Sequence, residues 1–322
     1  MVSHVRTVLG DVPAAELGVC DAHDHLFLRS PLLPGQELDD PQAAADRLRA
    51  FRELGGRTVV QWTPYGMGRR PGSLAELSRS SGVRIVAATG LHQSAHYDSE
   101  LIRGIRDRLA DLFVAELTEG IGDSGVRAGL IKVAGAFHAV DAHARLTMTA
   151  AAEAQRRTGA PIAVHLELGT GALDILDLLC GELGVPPGRV ILGHLGRSPD
   201  LVVQREAAER GAYLAFDGPS RANHARDWRL PEELAALAEA GLGDRLLLGG
   251  DTTTPETPGL PYLLRRLRPR LESALGKDLL DRIFVRNPAR AFTVGRSQAR
   301  PGRVQAGPGR VQAGPGPVPD RS

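Results

Sequence analysis

The sequence predicts an α/β protein built as a single (β/α)8 TIM barrel. Three observations carry that reading: eight short apolar runs punctuated by turn residues, helical periodicity between them, and a length of 322 residues that one such barrel accommodates. The strand candidates, in order, are 19–28 (VCDAHDHLFL), 58–63 (TVVQWT), 84–90 (RIVAATG), 128–136 (AGLIKVAGA), 162–167 (IAVHLE), 190–194 (VILGH), 213–218 (YLAFDG) and 246–251 (LLLGGD). Apolar residues recur every three or four positions at 41–55, 99–119, 143–158, 171–184, 199–210 and 231–241, which predicts helices there. Strands alternating with helices pair in parallel through right-handed crossovers, and eight such units close a barrel. An open doubly wound sheet is the alternative, but the first strand-to-helix turn lacks G-x-G-x-x-G. The barrel is expected to occupy 1–294. Beyond it, 295–322 is Gly, Pro, Arg and Gln with a tandem PGRVQAG at 301–307 and 308–314, a composition that reads as a disordered tail.

Composition narrows the function classes. With 39 basic against 38 acidic residues, the net charge of +1 provides no field to hold nucleic acid or an anionic membrane. Aromatic residues at 4% leave little stacking surface for bases, so a small-molecule partner is expected. Two cysteines, Cys20 and Cys180, make no disulfide framework, and the N-terminal MVSHVRTVLGDVPAAELG has no apolar signal core. A cytoplasmic location is expected. Only Lys132 and Lys277 among the basic residues are lysines.

The chemistry-bearing residues terminate the apolar runs. His23 and His25 occupy alternate positions of the first strand, so they should share its inner face with Asp24 opposite. His165 lies in the fifth strand, His194 ends the sixth and Asp251 ends the eighth. Taken singly, each reads as a hydrogen-bonded core residue. Together, four imidazoles and a carboxylate converging at the mouth of a barrel are costly to bury without a cation, and a shared metal site accounts for all five. Lys132, in the apolar run GLIKVAG, must snorkel out, pair with an acid or act chemically. Burial lowers a lysine's pKa, and a neutral amine can add carbon dioxide to give a carbamate whose oxygens bridge two cations. Lys277, in ALGKDLLDR, reads as a surface residue.

This order of elements, H-x-H, Lys, His, His and Asp on strands one, four, five, six and eight, resembles the phosphotriesterase family of the amidohydrolase superfamily, including its lactonases. The resemblance runs through HDHLFL, IVAATGL, GLIKVAG, GHLGRSPD and LLLGGD to VRNPARAFT. It implies a binuclear hydrolase. His23, His25 and Asp251 would hold the more buried metal, and His165 and His194 the more exposed one. Lys132, as N6-carboxylysine, would bridge both. A metal-bridging hydroxide would attack the substrate and Asp251 would take its proton. Asp217 matches an acidic position used to relay that proton, with a turn carboxylate as the equal alternative. Zinc is the default cation, with manganese, cobalt or iron fitting the same donors. A homodimer is expected by the same analogy.

Departures from the pattern bear on substrate. The first motif reads H-D-H where relatives usually carry H-E-H, which is expected to affect packing. His92 stands where related enzymes carry Trp or Tyr, making the pocket more polar and supplying a hydrogen-bond donor. The loop 218–230 concentrates Arg221, His224, Arg226, Trp228 and Arg229 over the mouth, suiting a carboxylate or phosphate group unless it is an ordinary solvated loop. A lactone or carboxylic ester therefore ranks ahead of an organophosphate triester, and an amide or cyclic amide is the third option. A non-hydrolytic cyclase or lyase and a binding protein without activity are the alternatives of other classes. Cys20 reads as a core residue, His138 and His143 as surface residues, and no phosphate loop is present.

Overall fold

The computed structural model describes residues 3–218 and 228–295. The chain begins with an antiparallel hairpin, β1 (His4–Thr7) and β2 (Gly10–Pro13). Eight parallel strands follow: β3 (Cys20–Asp24), β4 (Thr58–Gln61), β5 (Arg84–Gly90), β6 (Leu130–Ala134), β7 (Ile162–His165), β8 (Val190–Gly193), β9 (Tyr213–Asp217) and β10 (Leu246–Gly249). Sequence neighbours are sheet neighbours throughout, as successive right-handed crossovers require. The ends of the sheet meet, because Asp251 N–H donates to His23 O at 2.9 Å and Gly250 N–H to Asp21 Oδ1 at 3.1 Å. At Gly249 any Cβ would strike the His23 backbone, so only glycine lets the last strand close on the first. The barrel and its eight strands are as the sequence predicts, β5 matching its apolar run and the other seven strands shorter than theirs.

Alternation sorts the side chains. Leu130, Ala163, Ile191, Ala215 and Leu247 pack in an inner cluster around Trp62, whereas Ile131, Val164, Leu192, Leu214 and Leu248 pack outward against the helices. Trp62 fills the interior and donates its indole N–H to Ala22 O at 2.8 Å. Gly193 faces it across the barrel, where a Cβ would lie 2.9 Å from the ring.

Helices form where predicted, with local signals that explain their ends. Asp40 caps Pro41–Glu53 by accepting from Gln42 N–H at 2.8 Å. The 99–119 stretch divides into Ser99–Ile105 and Leu109–Thr118 around a 3-10 turn, and 171–184 ends in a π turn at Asp177–Glu182. A further helix, Pro71–Ser81, was not anticipated; Pro71 starts it and Gly82 ends it with φ 66°.

The floor of the barrel was also not anticipated. β11 (Thr293–Val294) pairs antiparallel with β1, and Val8 N–H bonds Ile85 O at the start of β5. This small sheet therefore covers the N-terminal ends of the strands, opposite the mouth. The expected tail lies outside the described residues, apart from Gly295. Among the described residues no helix is long and apolar enough to cross a membrane.

Candidate metal centre

All six residues singled out as ligands converge at the C-terminal mouth of the barrel, and three devices bring them there. Lys132, His165 and Asp217 follow simple alternation from the inner residues Leu130, Ala163 and Ala215. β3 instead carries a register irregularity between Asp21 and Asp24. It lets Ala22 pack inside while the next residue, His23, also turns in and stacks 3.8 Å from the Trp62 ring. His194 and Asp251 lie one and two residues past their strands with φ of 66° and 47°. These left-handed turns, strained for residues with a side chain, fold both groups over the mouth.

Each imidazole has one nitrogen fixed by a partner. The two oxygens of Asp217 accept from His23 Nδ1–H at 3.1 Å and His194 Nδ1–H at 2.5 Å. Glu167 Oε2 accepts from His165 Nε2–H at 3.1 Å. Thr63 gives its hydroxyl hydrogen to Phe27 O and so accepts from His25 Nδ1–H at 2.7 Å. The remaining nitrogens point to common space. His23 Nε2 and His25 Nε2 lie 3.5 and 3.7 Å from Asp251 Oδ1, and His194 Nε2 faces His165 Nδ1 at 2.8 Å. Imidazoles held from behind by carboxylates or a hydroxyl, two with their free nitrogens beside a carboxylate and two with theirs facing each other, are an arrangement by which proteins bind divalent cations. The residues thus fit the cations the sequence implies.

The electrostatics agree with that chemistry. Burial pushes His25 down to about 3 and His165 to about 4, and holds His194 well below the ordinary value, so all three are neutral imidazoles. Burial and the Asp217 charge push Asp251 up, but His23, Arg197 and His194 outweigh them and keep it ionised. Lys132 is 2% exposed, and burial lowers it to about 7 against the pull of Asp251 and Glu167. Its amine reaches the cavity with a substantial neutral fraction near neutral pH.

That cavity, about 400 Å³, has a polar lining that includes His92, Gln93, His96 and Arg197 and an apolar one of Leu28, Leu33 and Met67. His92 lines it, as expected. Trp228 does not: it stands just before the helix Leu230–Glu239, 57% exposed, with Arg229 over its ring. Arg221 and His224 lie outside the described residues.

Other expectations change. Asp217 has both oxygens on imidazoles, and Arg197 stands between it and Asp251. Asp24 does more than fill space, because its Oδ1 accepts from Thr252 N–H at 3.0 Å and so pins the chain just after Asp251. His143 is not an idle surface residue, since its Nε2–H donates to His92 O at 2.7 Å. Sequence reading missed Thr63, Glu167 and Arg197. Glu167, two residues past His165 on a strand end, was the one with a readable signal; its bond to His165 lowers it to about 2.

Comparison with known proteins places this arrangement. The chain is 30% identical over 319 residues to a phospho-furanose lactonase of Mycoplasmopsis synoviae and 32% identical over 317 residues to that of Mycoplasmopsis agalactiae, each match covering 88% of this chain and 90% of the relative. A lactonase crystal structure from Listeria monocytogenes superimposes with a TM-score of 0.85 at 28% identity, covering 90% of this chain and 99% of that one. The family model described as the phosphotriesterase family matches residues 3–292, and the chain belongs to that family.

Proposed function

We propose that the protein is a metal-dependent hydrolase that opens a lactone or cleaves a carboxylic ester. The convergence of four oriented imidazoles, Asp251 and the buried amine of Lys132 at one barrel mouth carries this reading. His23, His25 and Asp251 would hold one divalent cation and His165 with His194 a second, zinc being the default for such donors. Lys132 would join them as a carbamate: its neutral nitrogen bonds the carbon of CO2 and releases one proton. When bound, the cations supply hydroxide at neutral pH and polarise the substrate's acyl oxygen.

The protein's own groups do the rest. Asp251 takes the proton of the attacking water, whose oxygen bonds the acyl carbon. The ring C–O bond breaks, and the proton passes from Asp251 to the departing ring oxygen, leaving a hydroxy acid. Asp217, Glu167 and Thr63 keep the four ligand rings in one tautomer throughout. A cavity of about 400 Å³ is at the small end for ligand sites, which suits a compact substrate. The phospho-furanose lactonases among its relatives support a sugar-phosphate lactone first. The free cysteines and near-zero charge support a cytoplasmic enzyme.

The test is a panel assayed with one metal-reconstituted preparation: phosphorylated and unphosphorylated sugar lactones, simple lactones, aryl esters, a paraoxon-type triester and N-acetyl amides. Lactone turnover lost on chelation is expected. Turnover of amides alone, as the N-acetyltaurine hydrolase relative from Danio rerio suggests for a weaker match at 26% identity, would replace the ester reading. No turnover of any substrate would overturn it.

A further inference from the structure

The polar wall of the cavity contains a histidine more constrained than a packing or lining role requires. His92 is anchored at three points. Its backbone N–H donates to the Tyr97 hydroxyl at 2.8 Å, its carbonyl accepts from His143 Nε2–H at 2.7 Å, and its ring Nδ1 accepts from Gln93 N–H at 2.7 Å. The ring is further clamped by stacking on His96, with centroids 4.3 Å apart and planes 24° from parallel. His96 is itself held by Ser30 Oγ at 2.7 Å. An Nδ1 that accepts must be unprotonated, so the ring proton is on Nε2. Nε2 has no acceptor among the described residues, and His92 lines the cavity.

Position adds to this. The His92 centroid is 4.6 Å from that of His165, with the planes tilted by 56°. His92 thus flanks the His165–His194 side of the site, away from the side where Asp251 approaches His23 and His25. If the hydrolase reading holds, on which this inference rests, the attacking water belongs beside Asp251 and the acyl oxygen beside His165 and His194.

We propose that His92 is a catalytic residue: its Nε2–H donates a hydrogen bond to the substrate's acyl oxygen as that oxygen takes up negative charge. When hydroxide oxygen bonds the acyl carbon, the C=O π electrons move onto this oxygen; they return when the ring C–O bond breaks. His92 transfers no proton at any point. A neutral donor fixed in advance by three anchors costs no reorganisation as charge develops, which is how such groups lower a barrier. The family's usual aromatic side chains at this position could not present an N–H held by the same ring anchor.

Two measurements test the proposal. In metal-free protein labelled with 15N-histidine, His92 should show an unprotonated Nδ1 and a protonated Nε2; the opposite tautomer would overturn the proposal without reference to activity. In the reconstituted enzyme, His92→Phe should lower kcat about 10²-fold with KM little changed, the magnitude typical of one lost oxyanion donor. His92→Gln, which keeps an N–H donor, should recover part of the loss and guards against a folding defect in the first variant. The loss should be the same for alkyl and nitrophenyl esters, because the acyl oxygen is common to both. A loss confined to alkyl esters would move the contact to the leaving oxygen, and a rise in KM at constant kcat would reduce His92 to ground-state binding; either overturns the proposal. An active wild type with both variants unaltered overturns it alone, whereas a wild type inactive on every ester and lactone brings down the hydrolase reading with it.

Discussion

Asp217 offers a sharp test of how the ligand rings are held. Its two oxygens accept from His23 Nδ1–H at 3.1 Å and His194 Nδ1–H at 2.5 Å, and the rings are 1% and 3% exposed, so neither bond is weakened by solvent. Asp217→Asn keeps the volume but only one acceptor. The amide oxygen should stay on His194, the shorter bond, leaving the NH2 against His23. To avoid two hydrogens meeting, His23 must shift its proton to Nε2, the nitrogen needed for the cation. A hydrogen bond to a charged group contributes about 1.5–3 kcal/mol. At about 1.4 kcal/mol per tenfold that predicts a loss of metal affinity of about 10–150-fold, in line with the effect of removing a partner behind a ligand. Titration of metal-free protein against a chromophoric chelator measures it. The weakening should fall on the cation held by His23, with the thermal midpoint of the metal-free protein little altered. Unchanged affinity for both cations would refute the view that Asp217 acts through the imidazoles.

Two further outcomes follow from the same geometry. Lys132, lowered to about 7 by burial, is an ammonium below that pH and a neutral amine above it. At fixed dissolved CO2, reconstitution should therefore accelerate about tenfold per pH unit up to about pH 7 and level off beyond, whereas a pH-independent rate would contradict the neutral-amine step. Gly193→Ala places a methyl 2.9 Å from the Trp62 ring. Overpacking of about 1–3 kcal/mol should lower the thermal midpoint by about 2–4 °C for each kcal/mol, and an unchanged melt would show that the interior has room.

How far the site could be read in advance depended on how each residue reaches it. Lys132 and His165 follow two-residue alternation from Leu130 and Ala163, so their inward placement was written in the local pattern. His194 and Asp251 were legible as polar residues ending apolar runs, but not their left-handed turns, which depend on contacts made after the barrel closes. Alternation alone would have put His23 outside, given that Ala22 is inside; the irregularity in β3 is set by pairing with β4 and by the closing contact with β10. Thr63, Arg197 and His143 were not legible as functional, because their roles depend on neighbours from other strands and loops. The floor was missed for a similar reason: β11 has two residues, and its partner β1 lies at the opposite end of the chain.

Metal and carbamate content together test the central claim most directly. Protein reconstituted with zinc and 13C-bicarbonate should hold two cations per chain and show a lysine carbamate resonance, and Lys132→Arg, whose guanidinium cannot form the carbamate, should lack the resonance and lose bridged binding and activity. A single cation per chain, or full activity in Lys132→Arg, would contradict a binuclear centre built on Lys132.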